Sequence, residues 1–149
     1  MALARAFSVA LVGLEAHVVE VEADLGQGLP GLTLVGLPDA AVAESRDRVR
    51  AAVQNSGLQW PLRRITLGLS PASLPKRGSA FDLAIAAAIV AAGDEELPAA
   101  ALTDLVLLGE LALDGGIRPV RGVLPAVRGA RDAGSVSYTH LTLPTTPYV

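Results

Sequence analysis

Pro75-Lys76-Arg77-Gly78-Ser79-Ala80-Phe81-Asp82 is the stretch on which the reading of this chain turns. A proline-bounded basic turn with a glycine runs straight into the apolar segment 83–92. Many folds present a nucleophile or a phosphate-binding loop in this way, at the start of a helix. Here the groups that such chemistry needs are missing or displaced. A P-loop requires G-x-x-x-x-G-K-[ST]. Lys76 is followed by arginine, and the glycine spacing before it does not fit. Ser79-Ala80-Phe81-Asp82 has the S-x-x-[DE] form of a capping box. That form predicts that Ser79 bonds the Asp82 amide while the Asp82 carboxylate reaches back to the Ser79 amide. The alternative makes Ser79 a nucleophile, but that needs a base within reach and the spacing supplies none.

Outward from this stretch, the periodicity predicts an α/β (α+β) domain. Residues 6–13 alternate as a first strand. Residues 17–24 form a second, with Val19 and Val21 on one face and Val18, Glu20 and Glu22 on the other. The short turn at 13–16 makes them a hairpin. Residues 26–31 read as a loop. Residues 32–37, apolar almost throughout, read as a buried third strand. The segment 39–56 reads as one helix, with Val42, Val49, Ala52 and Val53 as its apolar stripe and Glu44 and Arg48 at i,i+4. Residues 64–70 form a fourth strand, 71–78 a loop and 79–92 a second helix. A fifth strand is expected over 105–113, then a turn at 114–116, a short returning strand at 117–120 and a third helix over 123–133. That order suggests a mixed β-sheet with helices mainly on one face.

The chain's 149 residues suit one domain with a sizeable core. Hydrophobic content of 51% against 18% charged marks it as globular, and 3% aromatics means a core of Ala, Val, Leu and Ile. A net charge of −3 gives no general attraction for nucleic acid or an anionic membrane. The absence of cysteine removes disulfide and thiol chemistry and is compatible with a cytoplasmic setting. No convincing secretory signal opens the chain, and the run 83–92 is about half of what a bilayer span needs. The stretch 135–149 differs from the Ala/Val/Arg-rich body: its Val136-Ser137-Tyr138-Thr139-His140-Leu141 resembles the translation of a sequencing adapter. We expect a domain over 1–134 and treat 135–149 as a non-native tail.

Several further patterns weaken on inspection. Gly26-Gln27-Gly28-Leu29-Pro30-Gly31 matches G-x-G-x-x-G, but a dinucleotide site needs a helix to follow, and a strand is expected here. His17 has no second histidine outside the tail, so no metal-ligand spacing exists. Glu20, Glu22 and Asp24, and the run Asp94, Glu95 and Glu96, read as solvated carboxylates. Arg46, Arg50, Arg63, Arg64, Lys76 and Arg77 could gather at one edge and touch phosphate, the alternative being ordinary surface charge paired with Glu44 and Asp47. No aromatics interleave with them for base stacking.

Five ordered motifs carry a resemblance that covers residues 1–134. They are G-L-P-G-L-T-L-V-G-L-P at 28–38, E-S-R-D-R-V-R-A-A-V-Q-N-S-G at 44–57, R-I-T-L-G-L-S-P-A-S-L-P-K-R-G at 64–78, F-D-L-A-I-A at 81–86 and G-E-L-A-L-D-G-G-I-R-P-V-R-G at 109–122. The chain resembles the N-terminal domain of the YifB/ComM family of Mg-chelatase-like AAA+ ATPases. The resemblance implies a Lon-protease-like, ribosomal S-five domain 2-like fold, often labelled a ChlI domain. It also implies a parent in which an AAA+ module supplies ATP binding, Mg2+ use and hexamer formation, with helicase and branch-migration activity in natural transformation. No cofactor is expected within this fragment. In Lon-type proteases a P-K-x-G-x-S-A-G loop carries a serine and a later G-E segment carries a lysine. Aligned on those motifs, the serine position falls on Ala80 and the lysine position on Leu124. The resemblance therefore implies a non-proteolytic accessory domain, with no catalytic residues, whose partners are the AAA+ module, DNA and further copies of the parent but no membrane. Two alternatives stand beside it: a Ser/Lys peptidase using Ser79, and a stand-alone nucleic-acid-binding module.

Overall fold

The computed structural model describes residues 2–13, 15–93 and 97–133. Strands β1 (Ala2–Val12) and β2 (Glu15–Gly26) form the expected hairpin, β1 starting four residues earlier than its alternation suggested and β2 longer at both ends, in register from Val12↔Glu15 to Ala2↔Leu25. Alternation turns Val19, Val21, Ala23 and Leu25 inward, all buried. On the opposite face Arg5 pairs across the strands with Glu22 at 2.8 Å and Glu20 at 3.3 Å, an exposed arrangement of small energetic weight. Strand β4 (Arg64–Ser70) runs antiparallel to β2 and buries Ile65, Leu67 and Leu69.

Strand β3 (Gly31–Val35) pairs in parallel with β4 alone, giving a mixed sheet in the order β1-β2-β4-β3. The buried strand expected over 32–37 is therefore shorter and half exposed. Leu32 and Leu34 pack inward, while Val35 and Leu37 face solvent, because an edge strand covered on one face has nothing against its other. The strand ends at Val35, before Gly36, whose φ of 110° and approach to Leu69 exclude a side chain: a Cβ there would lie 2.0 Å from the Leu69 carbonyl oxygen.

The single helix expected over 39–56 is two: α1 (Ala40–Ala43) and α2 (Ser45–Asn55). Asp39 caps the first, accepting from the Val42 amide at 2.8 Å. The break has a local cause. Arg48 Nη2 donates to the Ala41 carbonyl at 2.8 Å, the acceptor that an unbroken helix would offer to the Ser45 amide. Helix α3 (Asp82–Gly93) is apolar on all sides and is buried accordingly, packed on β1, β2 and α2. Helix α4 (Val123–Ala133) has the expected bounds. It lies against the hairpin end of the other sheet face, where Val9 and Ala16 join a smaller cluster with Ala126 and Ala130. Gly129 permits that contact, since a Cβ there would lie 2.1 Å from the Ala16 Cβ.

The continuous strand expected over 105–113 is not formed. Val106 bridges Phe7 in parallel and the Leu107 amide donates to Phe7 O at 2.8 Å. The segment then leaves β1: the Gly109 amide donates to Ala80 O at 3.0 Å, and Gly109 O accepts from Leu83 at 3.1 Å. Because the segment changes partner midway, only β5 (Glu110–Leu111) forms a regular ladder, antiparallel to β6 (Ile117–Arg118). A 3-10 turn over Ala99–Leu102 is an element that periodicity did not show. The acidic run 94–96 and the tail 135–149 lie outside the described residues.

Candidate functional site

The loop that opened the reading enters α3 between two different environments. On one side Asp82 is fully buried, and its carboxylate turns inward. Arg48 holds it with two bonds, Nε to Oδ2 at 2.7 Å and Nη2 to Oδ1 at 2.9 Å, and the Leu111 amide donates to Oδ2 at 3.0 Å. This corrects the capping box expected of Ser79 and Asp82. The Asp82 amide does meet Ser79, at the Ser79 carbonyl oxygen at 3.2 Å, but the carboxylate is committed to Arg48 and Leu111. The physical reason is burial: a carboxylate inside a domain needs a cation and donors more than a local turn can supply. Burial raises the Asp82 pKa, opposed by the bonds from Arg48 and Leu111, with the net direction upward. The same bond to Asp82 raises Arg48 above its ordinary value.

The sequence reading missed this pair, having matched Arg48 only with Glu44, which lies at 3.6 Å. A signal was present. An acidic residue in the first turn of an all-apolar helix requires a buried partner.

Lys76 is the second correction. It was grouped with surface arginines, yet it is completely buried, with Nζ donating to the Pro71 carbonyl. Its backbone bonds on both sides, accepting from Asp39 at 2.9 Å and donating to Leu37 at 3.0 Å, stitch the loop to the end of β3. Burial lowers its pKa. The remaining basic residues do not share one edge. Arg64 begins β4 whereas Arg77 follows its far end, and a strand of that length spans roughly 20 Å. Arg63 is occupied with the carbonyls of Leu25 at 2.9 Å and Gly26 at 3.3 Å. Arg46 and Arg50 are exposed on α2.

On the other side of the loop a cleft of about 430 Å³ opens between β1, the 75–81 loop and the entry to α4. Ser79 and Ala80 line it, with Val9, Leu108 and Ala126 among its apolar walls and Arg77 and Arg121 at its polar ones. Leu124 lies on the first turn of α4 and is 61% exposed; it is not part of the lining. Among the described residues the lining contains no histidine, lysine, aspartate or glutamate. Ser79 therefore has no general base beside it in the cleft, and the side chains of Ala80 and Leu124 offer neither nucleophile nor proton acceptor.

Among the described residues neither the glycine run at 26–31 nor Lys76 is placed as a nucleotide-binding loop would need. Gly26 ends β2 and Gly31 begins β3, so the glycine run joins two strands rather than opening a helix. Lys76 is buried on a carbonyl, and among the described residues no three His, Asp or Glu side chains come together. No helix of the described residues is long and apolar enough to cross a membrane.

Comparison with known proteins agrees with this architecture. The family described as subunit ChlI of Mg-chelatase matches residues 21–145. An uncharacterized protein of Mycobacterium tuberculosis is 61% identical over 134 residues, 90% of this chain. Competence protein ComM of Haemophilus influenzae is 47% identical over 131 residues, 88% of this chain. Both are far longer, and the chain spans 26% of each. Lon protease of Mycolicibacterium smegmatis is 28% identical over 135 residues, covering 87% of this chain and 17% of that protein, in keeping with a Lon-protease-like α+β fold. On this match, and with ComM and YifB among its relatives, the chain belongs to the family of the Mg-chelatase subunit ChlI.

Proposed function

We propose that this chain is a non-proteolytic accessory domain of a Mg-chelatase-like AAA+ ATPase, acting in ring assembly or in contact with the substrate. The observation that carries the reading is the cleft at Ser79 and Ala80, whose lining among the described residues offers no histidine, lysine, aspartate or glutamate to serve as a base. ATP and Mg2+ would be handled by a separate module of a longer cytoplasmic parent, assembled as a hexamer. That parent would work on DNA by helicase-driven branch migration, and the name of the Haemophilus relative, a competence protein, supports a role in transformation.

The test is turnover of casein and of short fluorogenic peptides by this chain, with Ser79→Ala as control. The expected result is no cleavage above background for either form. Cleavage that disappears in Ser79→Ala would replace this reading with a serine peptidase.

A further inference from the structure

Strand β3 ends the sheet, with β4 on one side of it and, among the described residues, no strand on the other. No backbone hydrogen bond among the described residues reaches 31–35 from that outer side. Alternate N–H and C=O groups of an end strand point away from its neighbour, so β3 presents a row of unpaired donors and acceptors.

Open edges are commonly blunted by lysine, proline or a bulge. Strand β3 has none of these. Its ladder with β4 runs without interruption from Gly31 to Val35, and no charged residue occurs from Gly26 to Pro38. The side chains along the edge are also incompletely covered. Leu32 and Leu34 are only partly buried on the core face, and Val35 on the other face is 49% exposed.

The order of residues in the strand selects what fits there. In Gly31-Leu32-Thr33-Leu34-Val35 a leucine stands on each side of Thr33. An antiparallel copy centred on Thr33 therefore sets Leu32 of each chain opposite Leu34 of the other, on the core face. On the outer face Thr33 meets its own copy and Gly31 meets Val35. Cross-strand threonine and aliphatic pairs of this kind are favourable. With no charge in the strand, a second copy meets no like-charge repulsion, and a charged partner finds no counter-charge.

We propose that β3 joins a second copy of this chain edge to edge, antiparallel about Thr33, so that the two sheets run on as one. The contact is two-fold and cannot be repeated round a ring, so it goes beyond the accessory function proposed above and does not rest on it. A ladder of 5 residues is small beside the roughly 1,200–2,000 Å² of a stable interface, and a dissociation constant on the order of 100 µM is expected.

The test is sedimentation equilibrium of the full chain from about 10 µM to about 1 mM, where a shift from monomer to dimer is expected. Thr33→Lys and Thr33→Glu each place two like charges face to face on the two-fold axis, and each should weaken association at least about tenfold. An equimolar mixture of the two should recover it, because the lysine of one chain then faces the glutamate of the other. Hydrogen exchange on the unsubstituted chain needs no variant. The outward amides of β3 should gain protection as concentration rises, while those of β2 stay unchanged. A chain still monomeric at about 1 mM overturns the proposal and leaves the edge to a different partner. Association undiminished in both single variants overturns it by placing the contact elsewhere. A mixture that associates no better than its components overturns the pairing at Thr33. If either variant misfolds, the exchange experiment decides alone, and β3 protection that ignores concentration sinks the proposal.

Discussion

Ala80 and Asp82 stand two residues apart at the entrance to one helix, yet they belong to opposite kinds of environment. Asp82 is buried and its carboxylate is partnered by Arg48 and Leu111, so the polar group there is part of what holds the domain together. Ala80 lines an open cleft whose charged groups, Arg77 and Arg121, meet no carboxylate among the described residues. The difference shows how one loop can present open positions on one side and a fixed, buried charge on the other. A side chain facing a cleft is answerable only to its ligand. A buried charge is answerable to every atom around it.

That contrast can be broken by experiment, most severely at the ion pair. Arg48→Ala or Asp82→Ala should cost about 3–5 kcal/mol in urea denaturation, because either leaves an uncompensated charge inside. The double variant Arg48→Met/Asp82→Leu should lose much less. If the single substitutions cost under about 1 kcal/mol, Asp82 is as dispensable as a cleft residue and the contrast fails.

Next in size is Gly129→Ala, which drives a Cβ against Ala16 and should cost about 1–3 kcal/mol by pushing α4, a wall of the cleft, off the hairpin. An unchanged melting temperature would mean that α4 already sits loosely.

Lys76 provides a pH test. Burial lowers its pKa below the ordinary 10.5, so between the two values the unfolded chain binds more protons than the folded one. Stability from this group therefore rises as pH climbs through that window. Lys76→Met should flatten the rise relative to the parent chain, and parallel curves for the two would show that the buried amine does not titrate on folding.

The smallest effect is expected on the cleft side. Ala80→Ser combined with Leu124→Lys restores the residue types of a Lon-type pair at positions that are partly or largely exposed, and should move stability by no more than about 0.5 kcal/mol. A loss comparable to that at Arg48 would show that Ala80 is held by its packing as firmly as the buried pair is.

What the sequence made legible follows the range of the interactions involved. The hairpin was readable because Val19 and Val21 alternate with charged neighbours and the turn is short. Helix α4 was readable because its apolar residues recur at helical spacing. The division of 39–56 was not, since it depends on a side chain, Arg48, capturing a carbonyl seven residues earlier. Nor was the fate of 105–113, whose alternation is that of a strand although its bonding partners change from Phe7 to Ala80. At the candidate site, the loop and its entry into a helix could be read from local motifs. The partner of Asp82 could not, because S-x-x-D describes neighbours in sequence while Arg48 lies 34 residues away. The burial of Lys76 was hidden for the same reason: a basic residue between proline and arginine looks like surface until the loop is seen stitched to Leu37 and Asp39.

The long reach of Asp82 also bears on how the chain folds. One carboxylate joins a helix 34 residues before it to a strand 29 residues after it, closing two large loops at a single point. Contacts of that span form only after much chain entropy has been lost, so they belong late on the folding route. Interactions made after the rate-limiting step scarcely affect how fast a domain assembles, but they hold it against coming apart. In this domain the ion pair acts as a latch on the finished structure, and its removal should be felt chiefly as faster unfolding.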